Sequence, residues 1–90
     1  MAHTFDELVE RQQAAIAAHH EVLRLRDTYG PPAVEGWSEA QARTYETAWR
    51  AWRDLARLVQ AAVTEYAKDE GLSRSDVDAD VKAKAGGGAS

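Results

Sequence analysis

The chain reads as an all-α protein, a long antiparallel helical hairpin with a short third helix that completes a bundle by dimerisation. Three observations point there. Thr4/Glu7, Ser38/Gln41 and Ser73/Asp76 each place a capping hydroxyl three residues before an acidic or amide side chain, the capping-box signature of a helix start. Strong helix stops fall at "YGPP" (29–32) and at Gly71. Between the second start and the second stop, Tyr45, Trp49, Trp52, Ala56, Val59, Val63 and Tyr66 follow one another at alternating steps of four and three, a heptad seam.

The first helix is expected from Phe5 to Thr28 or Tyr29. Asp6, Glu7 and Glu10 lie near its positive end and Arg24 and Arg26 near its negative end. Its apolar stripe is Phe5, Leu8, Val9, Ile16, Val22 and Leu23, with Gln12, Ala15 and His19 as softer positions between them. Gly30 suits a left-handed cap, and the Pro31-Pro32 pair cannot continue the helix. The loop "GPPAVEGW" leads to Trp37, which can staple onto the next helix near Ala42 and is the tryptophan expected to stay partly exposed.

The second helix meets no breaker from residue 39 to residue 70, a length of ~48 Å at 1.5 Å per residue. Ala48, Leu55 and Ala62 widen its seam on one flank, and Ala51 and Leu58 on the other. A first helix of ~36 Å, folded back so that Ile16 faces Trp52 and Leu23 faces Tyr45, is too short to cover such a stripe. The third segment, from about residue 74 to 83, has only Val77 and Val81 as an apolar face. It must dock to persist, because isolated helices of that length are marginal. Leu72 and Val77 have the spacing of a hydrophobic staple. Residues 1–85 thus form one domain and 86–90, "GGGAS", a flexible tail.

Composition narrows the chemistry. Ninety residues lie near the size at which one core leaves only a few kcal/mol of net stability, and self-association is a common remedy. The absence of cysteine excludes disulfides, thiolate metal sites and thiol nucleophiles. A net charge of −4 does not suit a surface that is wholly a phosphate-binding field. No apolar run approaches a membrane span, and the opening stretch carries acids where a secretory leader would be basic and then apolar, so a cytoplasmic location is expected. Eight arginines against three lysines, with eighteen alanines, fit a GC-rich bacterial or phage genome.

Asp76, Asp78 and Asp80 alternate like calcium-loop ligands. Counted from Asp76, however, the turn position holds Val81 instead of glycine and the bidentate position holds Gly87, so capping by Asp76 and solvation of its two neighbours is the better account. His19 and His20 are adjacent and point about 100° apart on a helix, which prevents them from sharing a metal. His19 is expected at the seam near Trp49 and His20 toward solvent. No nucleophile is paired with a base, no glycine-rich phosphate loop occurs, and neither a cofactor nor a metal is implied; an enzyme is not expected.

Residues 59–83 offer one further pattern. Ala67, Gly71 and Val77 have the spacing of the small, turn and locking positions of a helix-turn-helix, which the segment "VTEYAKDEGLSRSDVDADV" resembles. That resemblance implies a small DNA-binding regulator with Arg74 and Ser75 as contacts. Against it, three aspartates lie on the would-be reading helix, where phosphates must be approached. On the second helix Arg43, Arg50 and Arg57 recur every seven residues, with Arg53 nearby. The pairs Glu39–Arg43, Glu46–Arg50 and Arg50–Asp54 favour a self-paired face over a nucleic-acid stripe, and the same four arginines are candidate contacts for an acidic partner. The first expectation is therefore a non-catalytic protein-protein interaction or assembly protein, a homodimer built on Tyr45, Trp49, Trp52, Val59, Val63 and Tyr66 that engages a further protein partner. A DNA-binding regulator is the second.

Overall fold

The structure, a computed structural model, describes residues 3–30 and 36–86. Helices α1 (Phe5–Tyr29), α2 (Glu39–Glu70) and α3 (Arg74–Gly86) account for nearly all of them, with no strand among the described residues. The expected loop residues 31–35 and tail residues 87–90 lie outside the described part.

Local chemistry sets the boundaries. At Thr4 the hydroxyl accepts from the Glu7 N–H and the Glu7 carboxylate accepts from the Thr4 N–H, while Ser38 and Gln41 repeat the exchange at the start of α2. Gly71 takes the left-handed conformation at φ 68° and ψ 34°. Its N–H donates to the Lys68 carbonyl, and the Leu72 N–H donates to that of Ala67, the two bonds of a Schellman stop. Gly30 also has positive φ, but at ψ 176° it turns into extended chain, so the left-handed cap expected there does not form. At Ser73 only half of the expected box is present, a long 3.5 Å bond from the Asp76 N–H to the hydroxyl. Leu72, expected to staple onto Val77, remains 54% exposed. The third helix runs three residues beyond the expected end and takes in Gly86, which the sequence had placed in the tail.

The hairpin is antiparallel, with pairs marking its length. His3 Nε2 lies 2.8 Å from Glu65 Oε1, and the Phe5 and Tyr66 rings are 6.3 Å apart at one end. His19 stacks on Trp52 at 4.3 Å in the middle, and Trp37 lies between Tyr29 and Tyr45 at the other end. Helix α3 returns antiparallel to the last part of α2 and packs against both long helices, more extensively on α1. Leu8, Val59, Ala62, Val63, Ala67, Val77 and Val81 form the core there, with Phe5 and Tyr66 against it. Farther along α1, Ala15, Val22 and Leu25 are buried. Leu25 was absent from the expected stripe, whereas Leu23 is only partly buried.

Candidate interaction surface

Helix α3 divides the hairpin into two unequal environments. Where it packs, the seam of α2 is closed: Val59 and Val63 are buried and Tyr66 is partly buried. Beyond it, among the described residues, α2 is covered by α1 and, at Tyr45, by Trp37. Tyr45 and Trp52 are partly buried, Trp49 is 38% exposed and Leu58 is 55% exposed. The six seam residues thus lie on one helix but not in one core.

The aromatic residues depart from expectation in two ways. Trp37 is partly buried by Tyr29 and Tyr45, and its indole N–H donates to the Gly30 carbonyl at 2.8 Å, so the exposed tryptophan is Trp49. His19 stacks on Trp52, not on Trp49. Three residues farther on, Trp52 is rotated about 60° around the helix from Trp49, toward α1. Trp49 instead carries the Arg53 guanidinium 4.9 Å from its ring centroid.

The arginines of α2 are all exposed. Arg50 pairs with Glu46 at 3.5 Å as expected. Asp54, however, is taken by Arg57 at 3.0 Å instead of Arg50, and Glu39–Arg43 is not among the ion pairs of the described residues. Arg43 and Arg53 therefore have no carboxylate partner among the described residues, although Arg53 has its indole.

Around α3 a polar row joins the helices. Arg74 donates from Nε to Thr64 Oγ1 at 2.9 Å and from a terminal nitrogen to Gln60 Oε1. The Gln60 amide donates to Asp78 at 3.0 Å, and Lys82 bonds the same carboxylate at 3.0 Å. Asp78 is thus a clasp, not the solvated aspartate expected; Asp76 and Asp80 are exposed. Sequence reasoning missed Gln60, Thr64 and Asp78. The signal was the spacing of Arg74, Asp78 and Lys82 at every fourth residue beside Val77 and Val81. For the helix-turn-helix pattern, Ala67 and Val77 are buried as a locked turn requires, and Ser75 is exposed. Arg74, the basic residue of that reading, is tied back onto α2.

A half-open cavity of about 250 Å³ lies where the three helices meet, lined among others by Ile16, His19, Trp52, Gln60 and Lys82. Ile16 and Trp52 are thereby brought together as the hairpin register requires. No group of three His, Asp or Glu able to hold a metal occurs among the described residues, and none of their helices is long and apolar enough to cross a membrane. Comparisons with protein-family models, with curated proteins and with solved structures give no match.

Proposed function

We propose that this protein is a non-catalytic helical assembly module, working in the cytoplasm, which self-associates through the half of the hairpin that α3 leaves open. One observation carries the reading: a single heptad seam is buried at Val59 and Val63 and open at Trp49. A large aromatic exposed beside arginines is the composition of an interface anchor. The overall dimensions agree. The molecule measures 51 × 25 × 17 Å with a radius of gyration of 16.0 Å, against about 12 Å for a compact domain of this length.

Light scattering at micromolar concentration tests the reading. The expected mass is twice 9.9 kDa, and a monomer mass across that range would remove its basis.

A DNA-binding regulator is the second reading. It draws support from the docked Val77 and Val81 and the exposed Ser75, and loses support from the engaged Arg74 and the three aspartates of α3. A salt-sensitive gel shift with random duplex DNA would favour it, and no shift at low salt would count against it.

A further inference from the structure

The uncovered part of α2 has a pattern of its own. Ala42, Glu46, Trp49, Arg53, Ala56, Gln60, Val63 and Ala67 continue one another at alternating steps of four and three, so they form a single line along the helix. Helix α3 covers the second half of that line. Gln60 bonds Arg74 and Asp78, Val63 and Ala67 belong to the core with Val77 and Val81, and Ala56 lines the cavity with Lys82. The first half has no such cover: Ala42, Glu46, Trp49 and Arg53 are all exposed. A line that accepts a helix at one end offers the same kind of groove at the other.

The charges on this open half are self-complementary. Glu46 and Arg53 lie symmetrically about the Trp49–Arg50 peptide. A second α2 laid antiparallel with its two-fold axis at that peptide therefore sets each Glu46 against Arg53 of the partner subunit and brings the two Trp49 indoles together at the axis. In the same register Ala42 faces Arg57 of the partner subunit, a small residue opposite a long one. Arg53 is free for this role, since it has no carboxylate partner among the described residues, and Glu46 is held only by the long 3.5 Å pair to Arg50. Resting on the proposed self-association, we infer that the partner is a second copy of this chain, docked antiparallel on the Ala42–Glu46–Trp49–Arg53 stripe. The result is a four-helix core of two hairpins, with an α3 helix flanking each end.

Charge reversal in the full chain tests this pairing directly. Glu46→Arg or Arg53→Glu alone places like charges together twice in each dimer, and each is expected to weaken dimerisation by about tenfold or more in sedimentation equilibrium. The double variant exchanges both pairs and is expected to recover to within about threefold of the parent. Both side chains are exposed, so circular dichroism should show unchanged helix content in all three variants. A dimer that tolerates both single reversals would overturn the pairing while leaving self-association in place. A parent chain that stays monomeric would overturn both. Single reversals that weaken the dimer with no recovery in the double variant would overturn the antiparallel register.

Discussion

Asp78 sits between two helices and answers to both. Partial burial acts to raise its pKa, but hydrogen bonds from Gln60 and Lys82 and the charges of Lys82 and Arg74 outweigh it, so the carboxyl titrates below the usual aspartate value. A carboxylate whose folded pKa is depressed contributes stability that is full above its unfolded value of about 3.9 and is lost as pH falls through the lower folded value. Amide exchange in α3 should therefore speed up as pH falls below about 4 beyond the change in intrinsic rate, and Asp78→Asn should remove that added dependence. A parent and variant with the same profile would show that the clasp does not hold α3. Two apolar side chains set a scale for the core. Leu8 is fully buried, and Leu8→Ala is expected to cost about 3 kcal/mol in urea unfolding. Trp52 is only partly buried, so Trp52→Ala should cost less, about 2 kcal/mol, despite the larger side chain.

Gly71 is the hinge of the α2–α3 corner. At φ 68° the backbone suits glycine, and although a β-carbon there would meet open space, Gly71→Ala should still destabilise by about 1 kcal/mol through the left-handed conformation alone, measurable by thermal unfolding. The elements themselves were largely legible from local signals. The two full capping boxes and the Gly71 stop act within one turn of chain, and they place α1 and α2 where the sequence predicts them. Most of what escaped prediction depends on neighbours far away in sequence. On α1 the buried line Leu8, Ala15, Val22 recurs every seven residues, and Leu25, three residues after Val22 and about 60° from it around the helix, extends that line better than Leu23 at about 100°, a local signal that was overlooked. The end of α3 was set too early: the helix runs on to Gly86, where an added β-carbon would lie 3.8 Å from Ile16 Cδ1, so its last turn sits beside α1, a proximity with no local signal. The heptad of α2 gave a spacing and no more: Val59 and Val63 are buried, Tyr45, Trp52 and Tyr66 partly buried, and Trp49 exposed. Which half of it α3 closes follows from the Schellman corner, which turns the chain back over residues 56–67, and it was that choice which left Trp49 exposed and engaged Arg74.

At the scale of the molecule, the disparity of lengths governs. Helix α2 has 32 residues and α3 only 13, so α3 can close less than half of the seam. A chain this small leaves little stability in reserve, and burying the open half against a second copy would add to it with the logarithm of concentration. Thermal unfolding should therefore move to higher temperature as concentration rises, and Trp49→Glu, which places charge at the centre of the open stripe, should abolish that movement with the monomer fold intact. The most direct test of the central claim is amide hydrogen exchange along α2 at low and high protein concentration. Protection should rise with concentration more over residues 39–58 than over residues 59–70, which α3 already covers and which gain only through the global stability. Protection over residues 39–58 that does not depend on concentration would contradict it.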